Sequence, residues 1–265
     1  MKNLSKIGLI ILFLLCTFLL AVRADAAEID TESSVETYSI SKGKEGYEAY
    51  KSSLSDTEPS VKAESLAEIL NMIFSESEEA NINFRNIVAS EDIVFNGGSY
   101  NLKGKIDFQE NFSLIIENGD IYLSEMNMTL SEGGIVLKDG SLTIKKSDIY
   151  SKHQAIRMDY FSTSKLTLIS GNISSDSREG SIYLGCGTAK IYGGSVKNTS
   201  GAAIRNSGTL IMTGAPVISG VDADIFTSRP IVLSDSVGGF SGKCTVKYDC
   251  EFRQGKISIL AYGAS

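Results

Sequence analysis

Five triplets, Leu114-Ile-Ile116, Ile121-Tyr-Leu123, Met128-Thr-Leu130, Ile135-Val-Leu137 and Leu142-Thr-Ile144, begin at seven-residue intervals, and Ile149 and Ile156 continue the series. This stretch decides the fold. A period of seven is also that of a coiled coil. Here, however, the triplets are separated by Glu117-Asn-Gly-Asp120, Ser131-Glu-Gly-Gly134 and Lys138-Asp-Gly-Ser141, and a helix does not carry such turn residues in every heptad. Each unit therefore reads as a three-residue strand whose first and third side chains face inward, followed by about four residues of turn. Three such units make a coil of 21 residues.

A single coil is not stable alone. It offers about six inward apolar side chains, each worth roughly 1.5–3 kcal/mol on burial, against about 1–2 kcal/mol for every backbone it fixes. Only stacking, with each strand paired to the one above and below, lets hydrogen bonds and side-chain contacts accumulate. The pattern therefore has to recur, and it does. Strand units begin near Ile93 and run through Ile106 into the heptads. Beyond them three anchor series continue: Ile135, Ile156, Ile182, Ile204 and Ile225; Leu142, Leu166, Ala189, Leu210 and Ile231; and Ile149, Ile173, Val196, Val217 and Val237. Three columns with a common period define a repeat. Two residues after the third anchors stand Ser151, Ser175, Asn198 and Ser219, which predicts an inward polar ladder held by mutual hydrogen bonds. Insertions fall around Tyr160 to Thr163 and Asp176 to Gly180 and mark two places where something projects.

Upstream the reading changes twice. Lys2 and Lys6, an apolar run from Ile7 to Val22 and the sequence Ala24-Asp-Ala26 have the form of a signal peptide cleaved after Ala26. The run is short for a membrane span, and Leu15 before Cys16 is too large for a lipoprotein site. The expected mature protein is secreted or displayed at the cell surface, with no membrane span. Removing residues 1–26 takes away three cations and one anion, so the formal charge goes from −7 to −9. An acidic chain without basic clusters has no electrostatic footprint for nucleic acid. Residues 27–60, rich in Ser, Glu, Lys and Thr, read as a flexible polar arm. Leu66, Ile69, Leu70, Ile73 and Phe74 then recur at helical spacing, predicting a short amphipathic helix that covers the open end of the first coil. Of the cysteines in the mature chain, Cys244 and Cys250 are spaced to staple a hairpin by a disulfide. Cys186, between two glycines, is left as a small stacked residue or a site of intermolecular bonding.

On the segments Asp139-Gly-Ser-Leu-Thr-Ile144, Gly185-Cys-Gly-Thr-Ala-Lys-Ile-Tyr-Gly-Gly-Ser-Val196 and Ile204-Arg-Asn-Ser-Gly-Thr-Leu-Ile-Met-Thr-Gly214, the chain resembles the right-handed parallel β-helix of the pectate-lyase-like superfamily, in its bacterial secreted and surface form. The resemblance runs from about residue 61 to at least residue 240. It implies an all-β fold with three strands per coil of about 21–24 residues, here with a short N-terminal capping helix over residues 61–265 as one domain. Left-handed hexapeptide helices fit less well, because their coils are nearer 18 residues. The motifs specify coil geometry and no activity.

Members of that superfamily that cleave polysaccharide carry clustered Asp residues with Ca²⁺ and an Arg or Lys base, or grouped Asp acids. This chain matches neither. Asp139, Asp148, Asp159, Asp176, Asp222, Asp224 and Asp235 are scattered among turns, which favour Asp for backbone reasons. Asp222 and Asp224 come closest to a pair, but without a third carboxylate they make a poor metal site. His153, the only histidine, lies in a turn with no Gly-x-Ser-x-Gly context. No catalytic residue, metal ligand or cofactor is assigned.

The most suggestive constellation lies one residue past each first-series anchor. Val136, Arg157, Tyr183, Arg205 and Phe226 would form one outward column, alternating cations with aromatic faces. Sugar C–H faces stack on aromatics and Arg binds carboxylate or sulfate bidentately, so Arg157, Tyr183, Arg205 and Phe226 are the candidate ligand-binding residues. A solvated sheet also enriches aromatics, so ordinary stacking stands beside that reading. Outward Ile211, Ile218, Val232 and Phe226 would instead suit contact with another domain or subunit. Three functions stay open: an exported, non-catalytic binding or adhesion module for polysaccharide or a cell-surface partner; a diverged polysaccharide lyase or glycoside hydrolase using Asp159, Arg157 and Arg205, with Ca²⁺ only in that case; and a structural stalk that self-associates through the β-helix end.

Overall fold

The computed structural model describes residues 35–53, 58–159, 163–234, 239–248 and 261–263, and all of these except Val35 belong to one unit, Glu36–Ser265. The unit is a parallel β-solenoid of about eight turns with one short helix among the described residues. The segment read as a signal peptide lies outside the described residues, as do Val237 and Cys250.

The heptads lie where the spacing puts them. Strand β6 (Leu114–Leu130) makes one whole coil by itself, crossing all three faces. Its segments Leu114–Ile116, Asp120–Ser124 and Asn127–Leu130 pair in parallel with β7 (Ile135–Leu137), β8 (Ser141–Lys145) and β9 (Ser147–Ser151). From there the first face runs β7, β10 (Ile156–Met158), β13 (Ile182–Leu184), β16 (Ile204–Asn206), β19 (Ile225–Thr227) and β21 (Val246–Tyr248). The second runs β8, β11 (Lys165–Leu168), β14 (Thr188–Ile191), β17 (Thr209–Met212), β20 (Ile231–Leu233) and β22 (Ala261–Gly263). The third runs β9, β12 (Gly171–Ser175), β15 (Ser195–Asn198) and β18 (Val217–Ser219). Inward residues of every coil meet in one apolar core. Tight corners make the three faces close. At the first corner Gly140 adopts φ +81, and a Cβ there would run into the Gly119 carbonyl of the preceding coil. Between the second and third faces, left-handed residues stack as a column that includes Glu125 and Lys146.

The third anchor series slips by one residue at its end. Val196 pairs with Ile218, not Val217, and Ile218 is 5% exposed where Val217 is 56% exposed. Gly214-Ala-Pro216 adds one residue at that corner, and with a side-chain period of two, one residue exchanges the inward and outward sets. Ile218 is therefore a core residue and is not available to a partner. Ser219 lies on the outward side with Val217 and leaves the polar ladder. The rest of the ladder is buried and bonded: Asn198 Nδ2 donates to Ser175 Oγ at 2.9 Å, Ser175 Oγ lies 2.9 Å from Ser181 Oγ, and Ser151 Oγ donates to the Gly133 carbonyl at 2.9 Å.

At the N-terminal end, Leu66–Glu76 forms helix α1, opened by a capping box in which Ser65 and Glu68 satisfy each other's backbone N–H groups. Glu91 accepts from the Leu66 and Ala67 N–H groups as well. Leu66, Ile69, Leu70 and Ile73 are buried against the first coils, and Phe74 stacks on Phe95 and Tyr100. The polar arm expected over 27–60 is corrected where the structure describes it. Residues 37–51 form β1 (Thr37–Lys42) and β2 (Tyr47–Lys51), an antiparallel pair joined by β3 (Val61–Ala63). β1 lies parallel to β4 (Glu79–Ala89), and Tyr38, Ile40, Tyr47 and Ala49 are buried. Alternating apolar residues within polar composition carry those strands.

Candidate functional site

The column of the first face has the register its spacing implies. Val136, Arg157, Tyr183, Arg205 and Phe226 are successive Cα partners, and Lys247 of β21 extends the row by one coil. Val136 is buried, Arg157 and Lys247 are exposed, and Tyr183, Arg205 and Phe226 are half-buried. Because each strand of this face is three residues with inward ends, only its middle side chain points out, so the row is one residue wide. Arg157 Nε pairs with Asp159 Oδ1 at 2.9 Å. Arg205 places its guanidinium carbon 5.2 Å from the centre of the Phe226 ring, and its Nε is buried without a hydrogen-bond partner.

The row opens at Arg157 into a groove of about 630 Å³, built by turns between the third and first faces. Lys152, His153 and Gln154 come from the turn after β9, Arg178 and Glu179 from the turn after β12, and Glu132 from the turn after β6. The insertion expected to project at Asp176 to Gly180 therefore forms one wall. It is fastened from within: the Asn198 amide donates to the Ser177 carbonyl at 2.9 Å, and the Asp176 carboxylate accepts from Thr199 Oγ1 at 2.6 Å and Tyr150 OH at 2.7 Å. Those two hydroxyls, Thr199 foremost, hold the Asp176 carboxyl below its ordinary range. Glu179 accepts from Gln154 Nε2 at 3.1 Å. Two of the three groove carboxylates are thus occupied within the turns. Lys152 and Arg178 form no ion pair among the described residues.

His153, Lys152 and Arg178 were not part of the sequence-derived column. They come from turns of different length, and nothing in the spacing aligns them with Arg157. Three of the other acids serve local structure. Asp139 accepts from Thr163 and the Gly140 N–H, Asp148 from Asn172, and Asp224 from the Gly220 and Thr245 N–H groups. Asp222 and Asp224 lie in the bend that leads into β19. Among the described residues no three His, Cys, Asp or Glu side chains stand close enough together to hold a metal ion. Cys186 and Cys244 are free thiols among the described residues, and Cys250, the partner expected for a Cys244 staple, lies outside them. Its partial burial, with Asp224 nearby, pushes the Cys244 thiol pKa up. No helix among the described residues is long and apolar enough to cross a membrane.

Fold and site together define a parallel β-solenoid with a cation–aromatic row leading into a turn-walled groove. The chain matches no family model, no curated protein and no solved structure.

Proposed function

We propose that this chain is an exported, non-catalytic binding module on a right-handed β-helix of the pectate-lyase-like kind, and that it binds an anionic polysaccharide at the secreted or surface location its leader implies. The observation that supports this most is the continuity of the groove with the row: Lys152, Arg157 and Arg178 converge where the aromatic–arginine row begins. Arg favours bidentate pairing with carboxylate or sulfate, and the aromatic faces suit sugar C–H surfaces. A cell-surface protein is the alternative partner for the same row.

One observation favours an enzyme. Arg157 and Asp159 are paired at 2.9 Å beside the groove, and a lyase or hydrolase would use that acid and base, with Ca²⁺ only in the lyase case. The two readings separate in one experiment. Purified protein is incubated with acidic and neutral polysaccharides, with and without Ca²⁺, and polymer size is read by light scattering after gel filtration. Binding without cleavage gives unshortened acidic polymer that co-elutes with protein, and the double variant Arg157→Ala with Arg205→Ala abolishes co-elution. Shortened polymer overturns the non-catalytic reading, and unchanged co-elution by the double variant overturns the site.

A further inference from the structure

Cations occupy every second coil of the outward row. Arg157, Arg205 and Lys247 are separated by Tyr183 and Phe226, in a register the backbone pairing fixes. Toward the N-terminus the same row is aliphatic, with Val94, Ile115 and Val136. The charged part is therefore confined to five coils and alternates through all of them. Neighbouring coils lie about 4.8 Å apart, so successive cations are about 9.6 Å apart. One coil step is close to the advance of one sugar along an extended glycan chain, and two steps match a disaccharide.

Resting on the glycan-binding reading above, we infer that the row is matched to a linear polysaccharide carrying one carboxylate or sulfate per disaccharide, with its uncharged sugars seated on Tyr183 and Phe226. Two features favour this charge pattern over one anion on every sugar. A uniformly charged polymer would set an anion over each aromatic ring, whose face is itself electronegative. An alternating one sets an anion over each cation and a neutral ring over each aromatic. The cations are also available. Arg205 lies against the Phe226 ring and is not held by a carboxylate. Neither Arg205 nor Lys247 has an ion pair among the described residues, and Lys247 is exposed. Arg157 has Asp159, at an exposed site where water screens the pair and an incoming anion competes readily.

The test uses the whole protein and fluorescently end-labelled oligosaccharides of equal length, with affinity read by anisotropy at physiological salt. The probes are a hyaluronan hexasaccharide, with a uronate on every second sugar, a hexagalacturonate, with one on every sugar, and a neutral cellohexaose. The alternating probe should bind well over tenfold tighter than the neutral one, since each of its three charge-assisted contacts is worth about tenfold, and tighter than hexagalacturonate despite having fewer charges. Hexagalacturonate binding equally or more tightly overturns the spacing argument and leaves the glycan-binding reading intact. No binding by either acidic probe overturns both. Lys247→Ala, with its fold checked by circular dichroism, should weaken the hexasaccharide about tenfold, because the hexasaccharide spans all three cations. A hyaluronan tetrasaccharide spans two and has two placements, so it should weaken only about twofold. Equal losses for both lengths overturn the alternating row.

Discussion

Asn198 donates its side-chain amide to the Ser175 hydroxyl of the preceding coil at 2.9 Å, in a core where both are buried. The same amide reaches the Ser177 carbonyl, while its oxygen accepts from the Ser200 and Gly201 N–H groups. One residue thus links three segments, including the wall of the groove. Replacing it with leucine strands several buried polar groups. Asn198→Leu should cost about 3 kcal/mol in denaturant unfolding and weaken ligand binding through a loosened 176–181 turn. Unchanged stability would mean that water replaces the ladder.

The corners predict substitutions of opposite sign. Gly140→Ala adds a methyl against the Gly119 carbonyl at φ +81, and should destabilise by about 3 kcal/mol. Gly97 has φ +99 but open space around it, so Gly97→Ala should cost only the backbone share, about 1 kcal/mol. Lys146 is a non-glycine residue at φ 52, and Lys146→Gly should stabilise by up to about 1 kcal/mol. Denaturation midpoints of the three variants give the order directly.

Helix α1 begins with two separate capping devices, the Ser65 hydroxyl and the Glu91 carboxylate. Ser65→Ala removes the cap and should cost about 1 kcal/mol. Glu91→Ala releases the Leu66 and Ala67 N–H groups and should cost a similar amount, about 1 kcal/mol. The double variant should fray the N-terminal end first, seen as early amide exchange in α1 and β1 and later exchange in β12.

Acid sensitivity follows from Asp176. Hydrogen bonds from Thr199 and Tyr150 lower its folded-state pKa. A carboxyl with a lowered folded pKa contributes stability above its unfolded value, and that contribution is lost as the pH falls through the folded one. Asp139 behaves alike, through Thr163 and the Gly140 N–H. Wild-type protein should therefore lose stability below about pH 4, and Asp176→Asn should lose less. Unfolding at about pH 5 and about pH 3 tests this, the gap between wild type and variant narrowing at the lower value.

Asp159 separates binding from catalysis. If it only neutralises Arg157, Asp159→Asn frees the cation and tightens binding of an anionic glycan about two- to fivefold, the scale of an exposed ion pair. An acid in a hydrolytic pair would instead lose turnover. Titration with the labelled hexasaccharide distinguishes them.

The coils were legible in the sequence because inward residues recur at fixed spacing, and neither Leu142 nor Leu166 needs a neighbour in space to declare itself. Tyr38, Ile40, Tyr47 and Ala49 were not read, since two short alternating strands vanish in the average composition of residues 27–60. Val217 was mistaken for an anchor because an extra corner residue leaves composition unchanged and inverts parity. Arg157, Tyr183, Arg205 and Phe226 were found from the first-series anchors, yet Lys247 was not, as the 21-residue step from Phe226 crosses a less regular segment. The groove was invisible for a different reason: His153 and Arg178 meet only when turns of unequal length are stacked.

The N-terminal hairpin and helix have a consequence for assembly. A filament of solenoids needs every molecule to offer one bare end to the next, head to tail, without closing. Here β2 and β3 run antiparallel beyond β1, and α1 lies over the core, so among the described residues the head presents neither an open parallel edge nor an uncovered apolar section. At the tail, by contrast, the last described strands, β21 and β22, continue the parallel faces. Self-association through the solenoid ends would therefore stop at a tail-to-tail pair, whose two grooves and cation rows would point along one long, two-fold symmetric scaffold.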